Sequence, residues 1–185
     1  MVSSATLDVL PVDADPFAVE FANTLYVQSG VDLDFLDDAW LASWFDRVDN
    51  GPVPEFIRSL RNATRDLLID TAEGRRPSAS VIARLNDAAA RAPWRVTLEW
   101  PRDGSPVVST TAQGSGADAT IASIALECIE FIASPSMHLL RWCERPGCPM
   151  LFVKKHHKRR FCTDSCAHRA RQSRYYGKHH AAGVL

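Results

Sequence analysis

Four of the chain's five cysteines lie between Cys143 and Cys166, in two close pairs. Four residues separate Cys143 from Cys148, thirteen lie between the pairs, and three separate Cys162 from Cys166. This is what a tetrahedral metal requires: each pair clamps one edge of the tetrahedron, and the intervening chain brings the edges together. Arg145-Pro146-Gly147 is suitable turn chemistry for the first clamp. The second pair is spaced i, i+4, so both thiolates project from one face of a helix start that Thr163 or Asp164 can cap. The helix N-terminus also favours thiolate charge. Disulfides are the competing use. The N-terminus carries Asp8, Asp13 and Asp15 rather than a basic segment followed by an apolar one, so a reducing cytoplasm is the expected compartment, and one structural zinc ion the expected cofactor. Four thiolates leave no open coordination position for catalysis, and His156, His157 and His168 are not needed as ligands. Metal binding at ~10–16 kcal/mol would largely replace the core that so short a segment lacks.

Charge divides at the same place. Residues 1–140 contain 10 Arg, no Lys and 20 acids, a net −10; residues 141–185 contain 7 Arg, 4 Lys and 2 acids, a net +9. An acidic body carrying a basic tail points to a polyanionic partner. The 185 residues allow one ordinary domain plus a small module, and 46% hydrophobic with 23% charged residues is an ordinary globular composition. The longest apolar stretch, 121–133, is broken by Glu127 and Glu130 and is shorter than the ~20 residues of a membrane span, so no membrane partner is expected.

The body reads as mostly helical. Asp15-Pro16 opens a first helix, with the aspartate as cap; Phe17, Phe21, Ala22 and Leu25 recur at helical spacing, and Ser29-Gly30 ends it. A second run carries Leu36, Trp40, Leu41, Trp44 and Phe45. In the third, Phe56, Leu60, Ala63, Leu67 and Leu68 share a face while Arg58, Arg61 and Arg65 point elsewhere, and Glu73-Gly74 closes it. A fourth follows Ser78, with Val81, Ile82, Leu85 and Ala89 inward. The period then changes. Trp94, Val96, Leu98 and Trp100 alternate with Arg95, Thr97 and Glu99, which predicts a half-buried strand with 106–111 as its partner. Residues 117–133 form a last helix, with Cys128 a small core residue. The body's single His is His138, and no phosphate-binding glycine loop or nucleophile elbow is present, so the chain is not expected to be an enzyme. Asn23 and Thr24 are polar positions in an apolar helix. With Trp40 and Trp44 they are candidates to line a ligand pocket, although satisfying backbone groups and packing the core are the favoured roles.

In the tail, Met150–Val153 and Arg159–Cys162 are expected to pair as a hairpin whose loop carries Lys154, Lys155 and Lys158, and the helix from Cys162 carries Arg169, Arg171, Arg174 and Lys178. Together with Arg159 and Arg160 these form a candidate nucleic-acid surface on a metal-fixed scaffold. Arg171 and Arg174 are the best candidates for base edges. A turn-borne Cys pair, a hairpin and a Cys pair opening a helix is the treble-clef arrangement. RNA binding, with Phe161, Tyr175 or Tyr176 stacking on bases, and docking on an acidic protein are the alternatives.

This cysteine module followed by an Arg-rich helix resembles the CGNR-type zinc fingers of bacteria. Phe21-Ala22-Asn23-Thr24-Leu25 resembles the F-x-N-T-L start of the accompanying ABATE domain. After Cys166 the chain reads Ala167-His168-Arg169, so only the Cys and Arg of the name-giving tetrad are present. The resemblance implies a regulator of transcription. The expectation is therefore an α+β chain: a mostly helical domain with one hairpin, residues 1–136, that senses a small-molecule effector or forms a homodimer, and a zinc finger, residues 137–181, that binds DNA in preference to RNA.

Overall fold

The computed structural model describes residues 15–28, 31–36, 55–114 and 116–181. Trp40 and Trp44, and the rest of the run after Leu36, lie outside them. The described elements are α1 (Phe17–Asn23), β1 (Leu25–Gln28), β2 (Val31–Asp34), α2 (Glu55–Ala72), α3 (Ala79–Ala89), β3 (Trp94–Glu99), β4 (Val107–Ala112), α4 (Ala117–Ala133), a 3-10 turn (Pro135–Leu139), β5 (Leu140–Trp142), β6 (Leu151–Val153) and α5 (Asp164–Ala181). The chain is α+β, with three separate antiparallel strand pairs, β1–β2, β3–β4 and β5–β6.

Helix α2 forms because Ile57, Leu60, Ala63, Leu67 and Leu68 repeat on one face and are buried. It ends at Gly74, whose φ of +72° favours glycine. Ser78 caps α3, its Oγ accepting from the Val81 N–H at 3.3 Å. Ile121, Ile124, Cys128 and Phe131 of α4 meet Leu60, Leu68 and Leu85 in the main core, which α1 enters with every residue buried. Leu140, Leu151 and Val153 of β5 and β6 belong to the same core. A second cluster joins Tyr26, Leu33 and Phe35 of the β1–β2 region to Cys143, Met150, Phe152, Cys162 and Cys166.

Five expectations are corrected. The first helix stops at Asn23, because Thr24 turns its hydroxyl onto the Phe21 carbonyl at 2.7 Å, and the chain continues as β1, paired with β2. Ser29-Gly30 reads equally well as a two-residue hairpin connection and as a helix end. Asp15 does not cap α1 through its side chain; it bonds to the C-terminal part of the chain instead. Arg61 and Arg65 are buried, not pointed away. Arg61 makes a bidentate contact with Asp34 at 3.0 and 2.9 Å and bonds Thr24 at 3.1 Å, so its charge is paired where it is desolvated. Finally, β3 is not half-buried: Val96, Leu98 and Trp100 are 69%, 62% and 71% exposed. The hairpin is anchored at its base, where Trp94 Nε1 donates to the Ala89 carbonyl at 3.0 Å, and then projects from the helices. Ile82 of α3, expected inward, is exposed as well, while Ala88 takes a buried place beside Leu85.

Candidate metal centre and basic face

The first cysteine clamp lies between β5 and β6. The Cys143 N–H donates to the Met150 carbonyl at 2.9 Å as the strands part, and the Cys148 N–H donates to Arg145 O at 3.0 Å, with Gly147 at φ +72° closing the turn. The second clamp opens α5. Thr163 Oγ1 accepts from the Cys166 N–H at 3.1 Å and so caps the helix, as one of the two expected caps. The strand pairing differs from expectation: 151–153 pairs with 140–142, and 159–162 forms no strand. The earlier segment wins because Leu140 and Leu151 are both buried in the main core, whereas Arg159 is held by Asp15 and Arg160 pairs with Glu144.

The four Sγ atoms all lie within 4.8 Å of one another. Cys148 is 3.8 Å from both Cys162 and Cys166, and Cys162 is 3.5 Å from Cys166. A tetrahedron with zinc–sulfur bonds of ~2.3 Å has edges of ~3.8 Å, so the donor set fits one zinc ion. The thiols perturb one another strongly. Hydrogen bonds from Cys148 and Cys162 push the Cys143 thiol down, and hydrogen bonding to Cys143 pushes Cys148 and Cys162 up. Crowded thiols cannot all ionise unless a cation compensates them. Arg145 supplies part of that compensation. Burial opposes its charge, but hydrogen bonds to Cys166 and Cys148 keep the guanidinium protonated, and Tyr26 Oη accepts from it at 3.2 Å. Arg145 Nε is buried without a hydrogen-bond partner among the described residues, which suits a place beside anionic sulfur. Cys128 stands apart: burial pushes its thiol up to about 12, as befits an inert core residue.

Polar side chains of the body fasten this module. Asn23 both donates to the Leu151 carbonyl (2.9 Å) and accepts from the Leu151 N–H (3.1 Å), replacing a neighbouring strand. Asp15 accepts from the Val153 N–H at 2.9 Å and holds Arg159 through both carboxylate oxygens, at 3.0 and 2.9 Å. Arg65 donates to the Ala22 and Pro149 carbonyls at 3.3 and 3.0 Å. Asn23 and Thr24 therefore use polar atoms on backbone groups and on Arg61, the role favoured for them from the sequence. Arg159 is likewise occupied: it also donates to the Val153 and Cys162 carbonyls, at 2.9 and 2.8 Å, and stacks on Phe152. Sequence reasoning missed Asp15, Tyr26, Arg61, Arg65 and Arg145 in these roles. The available signal was arginine at i, i+4 beside an apolar helix face.

The remaining candidates lie between the two cysteine clamps in sequence and on α5. Lys155, Lys158, Arg160, Arg169, Arg171 and Arg174 are exposed and Lys154 is half-buried. Lys178 lies on α5, its side chain outside those described. Arg171 shares a face with His168, Gln172 and Tyr175, whereas Arg174 lines a groove of about 160 Å³ with Glu144, Arg160 and Phe161. The two arginines thus border different depressions. Arg160 also pairs with Glu144 at 2.5 Å.

Residues 15–135 match the ABATE family, described as "Putative stress-induced transcription regulator". The chain belongs to the ABATE family. Residues 140–179 match the CGNR zinc finger, so the metal centre sits in the segment where that finger is recognised. No curated protein matches the chain. In this ABATE chain the F-x-N-T-L residues have visible duties: Phe21 fills the core, Asn23 grips Leu151, Thr24 ends α1 and receives Arg61, and Leu25 starts β1. Replacement of the finger's Gly and Asn by Ala167 and His168 leaves all four sulfurs in place. Among the described residues no helix is long and apolar enough to cross a membrane. The family assignment and the metal centre together make this a zinc-finger regulatory protein.

Proposed function

We propose that the chain is a cytoplasmic, non-enzymatic regulator of transcription whose finger binds duplex DNA. One observation carries this reading: Lys155, Lys158, Arg160, Arg169, Arg171 and Arg174 are all exposed and all belong to the finger segment, whose net charge is opposite to that of the body. Lysines of the 154–158 loop contact phosphates and set register, and the exposed arginines of α5 approach base edges. Arg159, committed to Asp15, is not part of this surface. A single finger buries little surface, so useful specificity needs a second copy. For the sensing role, a groove of about 360 Å³ lined by Leu67, Ile82, Leu85, Ile129 and Ile132, with Thr71 and Asn86, suits a small apolar effector.

A salt titration tests the reading. Neutralising ~6 phosphates weakens binding ~10³-fold between 50 and 200 mM salt, and a flat profile contradicts it. RNA is the second reading, favoured by the groove that Phe161 lines with Arg160 and Arg174, a setting in which an unpaired base can stack. Competition between duplex DNA and single-stranded RNA at equal ionic strength separates the two.

A further inference from the structure

The β3–β4 hairpin presents an apolar row that the described residues do not cover. Val96, Leu98, Trp100 and Val108 are each more than 60% exposed. A two-stranded hairpin gains little stability alone; it needs further strands or packing on its apolar face. Both of its edges are unpaired among the described residues, since the sheet has two strands. An open, apolar edge strand is a template for pairing with another chain.

The sequence of β3 and its flank specifies which chain. Trp94-Arg95-Val96-Thr97-Leu98-Glu99-Trp100 is nearly palindromic about Thr97. Antiparallel pairing of this strand with itself across a two-fold axis at Thr97 sets Trp94 opposite Trp100, Val96 opposite Leu98, and Arg95 opposite Glu99. Every aromatic meets an aromatic, every aliphatic an aliphatic, and every charge its opposite.

The backbone agrees. Gln113 N–H donates to Pro93 O at 2.7 Å, in continuation of the register that pairs Trp94 with Ala112. The odd-numbered residues of β3 therefore turn their backbone groups toward β4, and the even-numbered ones turn theirs to the open edge. Pairing about Thr97 matches even residues with even residues, so Val96 and Leu98 of the two copies exchange N–H and C=O groups.

We infer that the chain forms an isologous dimer through β3, making a four-stranded sheet in which Arg95 of each copy meets Glu99 of the other. The partner is a second copy because a foreign strand would have no reason to carry this complementary order. The dimer would also supply the second finger that duplex recognition asks for, although the surface stands independently of the nucleic-acid reading.

Sedimentation equilibrium of the zinc-loaded full chain at about 50 µM tests this. The expected mass is twice 20.5 kDa. Reversing one charge, as Arg95→Glu or Glu99→Arg, places like charges opposite each other twice per dimer and weakens association roughly tenfold, and the double variant restores it. Leu98→Pro removes an N–H that β4 does not use, so the variant keeps its zinc and circular dichroism but is a monomer. A monomeric wild type, with the row covered by the chain's own segments or by another partner, overturns the inference. So do single reversals that leave the dimer intact, or a double variant that fails to recover it.

Discussion

The helical body and the finger are held together by different means. In the body, Leu60, Leu68, Leu85, Ile121, Ile124 and Phe131 close over one another, and apolar burial accounts for the packing. Around the cysteines the apolar set is small: Tyr26, Met150 and Phe152 with the sulfurs themselves. There the chemistry of the donor set has to supply what burial cannot. The two regions meet through Leu140, Leu151 and Val153, which join the body's core, and through a polar seam of Asn23, Asp15 and Arg65, whose partners are backbone groups and Arg159 of the other region. A polar seam of this kind fixes geometry more than it adds stability, and so aims the basic face.

The contrast predicts a graded series of effects. Cys162→Ser, or a strong chelator, should remove a contribution of ~10–16 kcal/mol from the finger; the zinc stoichiometry then falls to zero while far-ultraviolet dichroism retains most of the body's helix. A variant keeping stoichiometric zinc would show that the ligand set is wrong. Asp15→Ala strips Arg159 of its buried partner, and breaking such a pair costs ~3–5 kcal/mol in denaturant unfolding. Leu68→Ala, at a site with no exposure, should cost ~2–5 kcal/mol without loosening zinc, which separates the body's core from the finger's. Asn23→Ala leaves both polar groups of Leu151 unsatisfied, at ~1–3 kcal/mol, and should raise amide exchange at Leu151 before it changes the global midpoint.

The last effect is a matter of pH. Partial burial alone would raise the Asp34 carboxyl, but hydrogen bonds from Arg61 and the Leu36 N–H, with the charge of Arg61, hold it down to about 2. A depressed carboxylate contributes stability that is fully present above its unfolded value of ~3.9 and is lost as pH falls through the folded value. Wild type and Asp34→Asn should therefore differ by a constant amount above about pH 4 and converge toward pH 2 when unfolding midpoints are compared.

The metal centre was legible because cysteine pairs have few uses and their spacing restricts those further; the same holds for α2 and α4, where apolar repeats are long. The β1–β2 hairpin was hidden because Leu25 continues a helical period and Ser29-Gly30 ends a helix or turns a hairpin alike. Arg61 and Arg65 looked solvated because their partners, Asp34 and Pro149, are remote in sequence, and nothing local records such a pairing. Alternation in β3 gave the strand correctly but not its burial, since period two reports which residues share a face and is silent on what covers it. The finger strand went to 140–142 instead of 159–162 because the main core, invisible locally, recruits Leu140.

Everything proposed for the basic face presupposes a metal-built scaffold. Elemental analysis of the purified full chain, combined with thiol titration, addresses that directly. One zinc per chain, with the four sulfurs of Cys143, Cys148, Cys162 and Cys166 unreactive until a chelator is added, is the predicted result. A chain without metal whose four thiols react at once, or are joined in disulfides, would contradict it.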